Sequence, residues 1–317
     1  MAWSKEKKKE YGKAKAESSK ARWYENLATG IAENNIPWRK PWKGGMTMPS
    51  NIKSKKPYRG GNVVSLWFRG LSEGWTDMRF GTRKQLAEKG LSIKGLKNGT
   101  GSVIKFAKTS EWGTKVNEET GEEEKNWGFV VRWYEVWCVE QCEDYEKPEQ
   151  KDMTATPEHE MMEYFNSYVA SQQSLTLERK GSRAFYRFNE DLIRLPVHED
   201  FETPLGEVMT AFHEGAHSTG HPNRVERPLT AKFGSPDYAF EELIAELASL
   251  ITVIQLGGEF NPHIVCEEHA NSQAYLKHWL DACENQDKAL DRAFTMAQKV
   301  SDFMLATMSK EEEIISI

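Results

Sequence analysis

The stretch Phe212-His213-Glu214-Gly215-Ala216-His217 contains an HExxH motif, in which two histidines lie four residues apart and a glutamate follows the first. Positions i and i+4 share one face of a helix, so His213 and His217 can offer two imidazoles to one metal ion. Glu214 lies between them and can act as the general base for a water molecule at that metal. The motif therefore predicts the chemistry of a zinc peptidase.

The residues around the motif predict that it lies on a helix. Apolar side chains recur before it at helical spacing, at Leu205, Val208, Met209, Ala211 and Phe212. Thr203-Pro204 is a typical helix start, and Gly220-His221-Pro222 is a typical stop. An HExxH match can also be a pair of surface histidines beside a glutamate. We favour a metal site, because two imidazoles and a carboxylate on an apolar helix need partners.

Two histidines leave a catalytic zinc ion one protein ligand short. A histidine at position 223 would extend the motif to HExxHxxGxxH, but Asn223 stands there. His221 lies one turn past His217, although Gly220 and Pro222 are expected to break the helix before it. His263 and His269 are further candidates, and nothing in the sequence places them near the motif.

The next long helix, predicted at 237–256, carries three candidate carboxylates, Glu241, Glu242 and Glu246. Helical phase does not decide among them. Zinc peptidases with a glutamate ligand carry it on a separate, later helix, and an acid four residues on often accepts a hydrogen bond from a ligand histidine. By likeness to such enzymes we favour Glu242 as the third ligand and Glu246 as that outer partner.

Charge and tryptophan content divide the chain into two regions. Residues 1–148 carry 28 Lys and Arg against 19 Asp and Glu, whereas the remainder carries 14 against 29. Ten of the eleven tryptophans precede residue 150. These differences predict two domains with different tasks, at 1–148 and 158–317, joined by a linker at 149–157. Residues 1–20 form either an exposed helix or a flexible basic arm.

The first region contains a basic, aromatic segment suited to nucleic acid. Residues 36–45 hold two prolines and two glycines and are predicted as a loop. Residues 37–108 carry 16 basic and 3 acidic side chains, an excess that attracts a polyanion. Aromatic faces stack on unpaired bases while cations contact phosphates. The predicted DNA contacts are Trp38, Arg39, Lys40, Trp42, Lys43, Asn51, Lys53, Lys56, Tyr58, Arg59 and Asn62. The alternative is a solvated basic face, with tryptophans such as Trp67 in a small core.

Residue patterns in the first region predict strands at 103–106 and 127–139, a short helix at 84–88 and an acidic hairpin tip at 117–125. A small α+β domain with an antiparallel sheet follows from these elements.

In the second region, residues 158–170 predict an amphipathic helix and residues 270–308 two packing helices. Residues 184–188 and 192–196 predict two strands joined by a turn. The predicted fold class is α+β with two domains, a small α+β DNA-binding domain and a mainly helical metal-binding domain with a short sheet.

The cysteines Cys138, Cys142, Cys266 and Cys283 form no CxxC pair and no dense framework, which favours a reduced, intracellular chain. Residues 1–20 lack the apolar core of a secretory signal, and no run of about eighteen apolar residues is present. We therefore expect a cytoplasmic protein with no membrane partner. Metal binding by Cys138 and Cys142 is an alternative that the spacing does not favour.

Several segments together resemble the ArdC-type antirestriction proteins of plasmids and phages. The matching segments of the first half are IPWRKPW (36–42), SNIKSKKPYRGGN (50–62) and TRKQLAEKG (82–90). Those of the second half are AFHEGAHSTGHPNRVER (211–227), YAFEELIAEL (238–247) and DKALDRAFTMAQKVSDFM (287–304). The resemblance implies an N-terminal single-stranded-DNA-binding domain and a C-terminal zincin-like metallopeptidase domain. It also implies a role in protecting incoming DNA from restriction in the cytoplasm of the host cell.

By this resemblance, His213 and His217 match the metal histidines and Glu214 the catalytic glutamate, with Zn2+ or another divalent ion as cofactor. The YAFEEL glutamates match the segment that supplies the third ligand. Two residues depart from the family pattern. Gly215 stands where a bulky residue is usual, and Ser218 stands where an aromatic often follows the second histidine. Neither departure removes a ligand, so they bear on the efficiency of proteolysis more than on metal binding.

The expected function is that of an antirestriction protein that binds single-stranded DNA and carries a zinc-dependent peptidase domain. Its peptidase substrate would be a host restriction protein or another DNA-bound protein. The alternative is a non-catalytic protein that coats single-stranded DNA and has a structural or vestigial metal site. A primase or nuclease is less well supported, because the basic region shows no acidic metal cluster.

Overall fold

The computed structural model describes residues 4–32, 46–116, 122–147, 157–229, 232, 234–257 and 286–308. These residues form two compact units. The first comprises the described residues within 1–26, 52–54 and 80–145, and the second those within 27–51, 55–79 and 146–317. Residues 55–79 thus belong to the second unit, although they precede the linker proposed from composition. The domain boundaries at 148 and 158 stay a prediction.

The described helices and strands are α1 (Lys5–Ala32), β1 (Ser50–Asn51), α2 (Gly61–Glu73), β2 (Arg79–Gly81), α3 (Arg83–Glu88), β3 (Ser102–Val116), β4 (Glu123–Cys138), α4 (Glu158–Ser171), β5 (Thr176–Arg179), β6 (Phe185–Arg187), β7 (Leu192–Leu195), α5 (Pro204–Ser218), α6 (Pro236–Gln255) and α7 (Gln286–Met308). The predicted α+β class with two domains is confirmed. None of the described helices is long and apolar enough to cross a membrane.

A long antiparallel ribbon dominates the first unit. Strands β3 and β4 pair from Ser102 opposite Val136 to Val116 opposite Glu123, and β2 pairs with the other edge of β4. In this unit the strands lie in the order β2-β4-β3. Both predicted strands are present, and β3 is much longer than the predicted 103–106. The predicted hairpin tip falls partly on residues 117–121, which lie outside the described residues.

Helix α1 packs on this ribbon through residues in the C-terminal half of the helix. The Trp23 side chain is buried, and its ring lies 5.6 Å from that of Trp133. The Arg22 guanidinium donates to the carbonyl oxygens of Gly99 and Gly101 at 2.9 and 2.8 Å. Of the two alternatives for residues 1–20, the structure has the helix, which begins at Lys5 and is largely exposed before residue 19.

The second unit is a helical layer with a short mixed sheet. Helix α5 packs between α4 and α6, and α6 packs on α7. The strand order is β5-β7-β6, with β7 parallel to β5 and antiparallel to β6. The predicted hairpin is therefore β6–β7, and its turn ends at Asp191 in the left-handed region with φ of 44°. The helix predicted at 158–170 is α4, and the second helix predicted within 270–308 is α7.

Helices α5 and α6 each begin with a hydroxyl side-chain cap followed by a proline, and the α5 start is the predicted one. Thr203 Oγ1 accepts the Gly206 N–H at 3.0 Å, and Pro204 occupies the first turn of α5. Ser235 caps α6 in the same way, with Pro236 following it. Helix α5 ends at Ser218, two residues before Gly220.

Helix α2 was not predicted as a helix. Four of its apolar residues, Val63, Val64, Leu66 and Trp67, are buried. Trp67 is thus a core residue, as the alternative for the basic segment proposed. The helix ends at Gly74, whose φ of 72° suits a glycine C-cap.

Gly215 allows α4 to approach the motif helix closely. A Cβ atom at position 215 would lie 3.0 Å from Phe165 Cε2 and 3.6 Å from Met304 Sδ. The bulky residue usual in the resembling family therefore has no room here unless α4 shifts. The buried Phe165 ring instead packs against Phe212, with 5.6 Å between ring centroids.

This packing predicts different outcomes for two substitutions at one site. Gly215→Ala should change the free energy of unfolding by less than about 1 kcal/mol, because better helix propensity offsets the tight contact. Gly215→Leu should lower it by about 1–3 kcal/mol, because the larger side chain overpacks against Phe165. Urea unfolding measures both, and equal stability of the two variants would contradict the packing described.

Candidate metal centre

The two motif histidines face each other on α5. One helical turn separates them, so both imidazoles project from the same side, and their Nε2 atoms lie 3.1 Å apart. Both side chains are mostly buried, at 17% and 13% exposure. Two ring nitrogens held this close present adjacent ligand positions to one ion.

Helix α6 brings Glu242 to the same point. Its carboxylate oxygens lie 3.4 Å from His213 Nε2 and 3.5 Å from His217 Nε2. One ligand atom from each of these three residues lies within 4.8 Å of the others. Two imidazole nitrogens and one carboxylate oxygen form a donor set suited to a divalent transition metal with an open coordination position. The residues present therefore fit such an ion.

Glu246 and Glu241 lie behind the two imidazoles. Glu246 Oε1 is 3.5 Å from His213 Nδ1, and Glu241 Oε1 is 3.2 Å from His217 Nδ1. Each histidine thus has a carboxylate beside its Nδ1 atom, on the side of the ring that faces away from Glu242. Such partners fix the ring orientation and the tautomer of a ligand histidine.

Arg227 holds Glu241 in this outer position. Its guanidinium donates to both carboxylate oxygens of Glu241 at 2.6 and 2.9 Å, and it is nearly fully buried. It also donates to the Ala216 carbonyl at 2.8 Å and to Thr219 Oγ1 at 2.6 Å. Sequence reasoning gave no role to Arg227, because it lies in an irregular segment with no periodicity to assign it a face.

The carboxylates around the histidines decide their protonation. Burial lowers the pKa of His217, but hydrogen bonds to Glu241 and Glu242 outweigh it and raise this pKa to about 10. Burial raises the pKa of Glu242, but the two imidazoles outweigh that effect and hold this pKa below its usual value. Glu242 is therefore an anion, as a metal ligand must be.

Glu214 lies on the wall of a cavity of about 290 Å³ beside these residues. Burial raises the pKa of its carboxyl group above the usual value, and the backbone N–H of Tyr186 donates to it. Aromatic side chains of β6 and the following turn, Phe185, Tyr186 and Phe188, line the same cavity. A raised pKa makes the Glu214 carboxylate a stronger base near neutral pH.

A second buried ion pair attaches the β6–β7 hairpin to the end of α5. Arg224 pairs with Asp191, and both side chains are almost completely buried. The Tyr186 hydroxyl donates to Asp191 at 2.7 Å, and Arg224 Nε donates to the Ser218 carbonyl at 2.7 Å. The strand that contacts Glu214 is thereby fixed relative to the helix that carries it.

The remaining ligand candidates lie elsewhere or outside the described residues. The His221 ring packs against Phe188, and its Nδ1 accepts the Asn223 N–H at 3.3 Å. Among the described residues, the three-residue group of His213, His217 and Glu242 contains neither His221 nor a cysteine. Cys138 and Cys142 are free thiols buried in the first unit. His263 and His269 lie outside the described residues.

The predicted DNA contacts fall into four groups. Trp38, Arg39, Lys40, Trp42 and Lys43 lie outside the described residues. Lys53 pairs with Glu88 at 2.7 Å, and Arg59 pairs with Asp302. Tyr58 is hydrogen-bonded by Asn51 at 3.3 Å, and burial raises its pKa. Lys56 and Asn62 are exposed or partly exposed beside them. Their role in DNA binding stays a prediction.

Two consecutive segments of the chain match known protein families. Residues 18–137 match the family described as the N-terminal domain of anti-restriction factor ArdC. Residues 150–296 match a family described as zincin-like metallopeptidase. The first match ends at residue 137 and the second begins at residue 150.

Solved structures of the antirestriction ArdC protein from the R388 plasmid are similar to this chain. The metal-free structure is 28% identical with a TM-score of 0.60, and the Mn(II)-bound structure is 26% identical with a TM-score of 0.62. Each comparison covers 90% of this chain and 98% of the other. The Mn(II) ion belongs to that protein.

Three curated relatives span nearly the whole chain. Two are DNA primases TraC of Escherichia coli, 33% and 31% identical over 302 and 301 residues. The chain covers only 27% and 20% of their lengths. The third is the uncharacterized protein y4eC of Sinorhizobium fredii, which is 28% identical, with 89% of each chain covered.

The geometry predicts that the three carboxylates of α6 differ in metal binding. Glu242→Gln should abolish stoichiometric binding, because it removes one of three protein ligands. Glu246→Gln should weaken binding by about 10- to 100-fold, because it removes only an outer partner of His213. Metal titration followed by elemental analysis measures both, with Glu163→Gln on the exposed face of α4 as the control. Metal retained in Glu242→Gln but lost in Glu241→Gln would contradict the assignment.

Proposed function

We propose that this chain, an ArdC-type antirestriction protein with a zincin-like domain, is a peptidase. Its activity depends on a divalent metal ion, and the chain also binds unpaired DNA. One observation carries the peptidase part of the proposal. His213, His217 and Glu242 converge beside the buried Glu214 at the wall of a cavity. A metal-dependent hydrolase needs this combination of a ligand trio with one open side and a nearby base.

We propose His213, His217 and Glu242 as the ligands and zinc as the native ion. A bound divalent ion supplies Lewis-acid chemistry, since it polarises a peptide carbonyl and lowers the pKa of water. Glu246 and Glu241 hold the imidazoles from behind, so the ligand nitrogens keep their orientation when substrate enters. The buried Arg227 keeps Glu241 from turning toward the ion.

Glu214 acts in this proposal as the general base. Its carboxylate takes the proton from the attacking water and then passes it to the nitrogen of the departing peptide amine. Its raised pKa suits the first transfer, because a stronger base removes the proton from water more readily at neutral pH. The Tyr186 N–H holds the carboxylate in place, so its position does not depend on a flexible side-chain contact.

The cavity also suggests how a protein substrate binds. Strand β6 lies at one edge of the β5-β7-β6 sheet and lines the cavity beside Glu214. An extended peptide can add to such an edge through main-chain hydrogen bonds, with its side chains against Phe185 and Phe188. We propose that a host restriction protein or another DNA-bound protein supplies this peptide.

The first half of the chain supports the DNA-binding part of the proposal. The excess of 16 basic over 3 acidic residues between 37 and 108 favours a polyanion. Binding to DNA would bring the peptidase site to proteins that act on the same DNA. A restriction protein bound to that DNA would then lie within reach of the site.

Replacement of Glu214 by Gln tests the catalytic part. We expect cleavage of a fluorogenic peptide library to fall by about 100-fold or more, because the amide cannot accept the water proton. Metal content and thermal midpoint should match wild type, and Glu190→Gln at the exposed hairpin turn is the control. Wild-type cleavage by Glu214→Gln would sink the peptidase proposal. Wild-type protection of DNA by a cleavage-deficient Glu214→Gln would favour a coating protein instead.

Binding of a fluorescent oligo(dT) tests the DNA part. We expect the wild type to bind it more tightly than a matched duplex, with affinity that falls as salt rises. Trp38→Ala with Trp42→Ala should weaken binding by about 30-fold or more, because each base stacked on an aromatic ring contributes roughly 1–3 kcal/mol and two stacked rings are lost. Binding that shows no salt dependence would contradict the assignment of the basic region.

A further inference from the structure

The β3–β4 ribbon has one face that combines exposed aromatic rings with cations. Directly paired residues of two strands share a face. Tyr134 pairs with Ile104, Arg132 with Phe106, and Val130 with Lys108. The Phe106 and Tyr134 rings lie 6.1 Å apart, which confirms that both project on this side. We call this side of the ribbon the ribbon face, and its exposed rings and cations are Phe106, Lys108, Trp112, Arg132 and Tyr134.

Trp112 lies at the distal end of this face because of a bulge. The strand register shifts between Glu111 and Thr114, where Gly113 has φ of 104°. Trp112 leans over Gly128, since a Cβ atom on that glycine would lie 2.6 Å from the indole ring. Gly128 belongs to the ribbon face through its pairing with Ser110. The indole is therefore placed on the same side as Phe106, and 62% of it is exposed.

Lys108 and Arg132 place two cations between the aromatic rings of the ribbon face. Between the Ile104–Tyr134 pair and the Ser110–Gly128 pair, the residues of the ribbon face include two cations and no carboxylate. Glu111 and Glu135 point to the opposite face, where Glu135 meets Arg22 of α1. That opposite face also packs Trp133 against Trp23. One side of the ribbon is thus attached to a helix, and the other presents rings and positive charge to solvent.

We propose that the ribbon face is a stacking platform for an unpaired DNA strand. Phe106, Tyr134 and Trp112 would stack on bases, while Lys108 and Arg132 between them would contact phosphates. About six residues of strand separate Phe106 from Trp112, or roughly 20 Å, which is enough for several nucleotides. None of these five residues is among the DNA contacts predicted from the sequence. This inference rests on the proposed binding of unpaired DNA.

The chemistry of the face favours an unpaired strand over the other acidic ligands. In a duplex the base faces are already stacked, so exposed rings contribute little to its binding. An acidic peptide would satisfy Lys108 and Arg132 but has no bases for three exposed rings. The aromatic side chains are 48%, 62% and 37% exposed at Phe106, Trp112 and Tyr134, which leaves their faces accessible.

Fluorescence anisotropy of labelled oligo(dT) on the full-length protein tests the proposal. Trp112→Ala and Phe106→Ala should each raise the dissociation constant by about fivefold or more, and Trp112→Phe should restore most of the loss. Val131→Ala removes an exposed apolar side chain from the opposite face of the same ribbon and should have no effect. Thermal midpoints verify folding, and the highly exposed Trp112 offers the variant with the smallest structural cost.

A second readout separates stacking from charge. Lys108→Gln with Arg132→Gln should reduce the slope of log affinity against log salt by about 1.4, because two phosphate contacts to a single strand are lost. The aromatic variants should leave that slope unchanged. A slope that stays at the wild-type value in the charge variant would overturn the placement of the phosphates.

The outcomes distinguish this inference from the proposed function. If the wild type fails to bind oligo(dT), the DNA-binding function fails and the platform with it. If the wild type binds and the ribbon variants bind equally well, while Trp38→Ala with Trp42→Ala loses binding, only the platform is overturned. Equal losses for a matched duplex, or full displacement of oligo(dT) by poly-glutamate, would also overturn an unpaired strand as the ligand.

Discussion

The buried ion pair between Arg227 and Glu241 is the contact on which the metal centre depends. The guanidinium holds both oxygens of Glu241 and two groups at the end of α5, so it fixes α6 against the helix that carries the histidines. Glu242, the next residue along α6, then faces both Nε2 atoms. An ion pair at this depth is costly to break on one side. Glu241 is therefore paired with Arg227 and His217, and Glu242 is the carboxylate that joins the two histidines in the proposed ligand group.

Local sequence signals were sufficient for the elements that build the site. The Thr203-Pro204 start of α5 and the β6–β7 hairpin depend on residues near each other in the chain, and the structure has both. The spacing of His213 and His217 fixes their shared face by helix geometry alone. The predicted α+β class was confirmed for the same reason, because it follows from the periodicity of single segments.

Features of the site and the fold that depend on contacts between distant segments could not be predicted from the sequence. Glu241, Glu242 and Glu246 share one helix, and only the packing of α6 on α5 shows which carboxylate faces the histidines. The role of Arg227 had no local signal. The length of β3 was underestimated, because polar residues after Phe106 have no strand periodicity and are held in the ribbon by pairing with β4. The need for a glycine at position 215 also depends on a distant segment, because the Phe165 ring of α4 lies too close for a larger side chain.

The central claim is that two histidines and Glu242 bind one divalent ion with one side open to the cavity. A crystal structure of the zinc-loaded protein, with anomalous diffraction at the zinc edge, tests it most directly. One ion is expected about 2.0–2.1 Å from each Nε2 atom and about 2.0–2.2 Å from a Glu242 oxygen, with Glu241 still paired with Arg227. An ion bound by Glu241 or by a third imidazole, or a site that holds no zinc at saturating concentration, would contradict it.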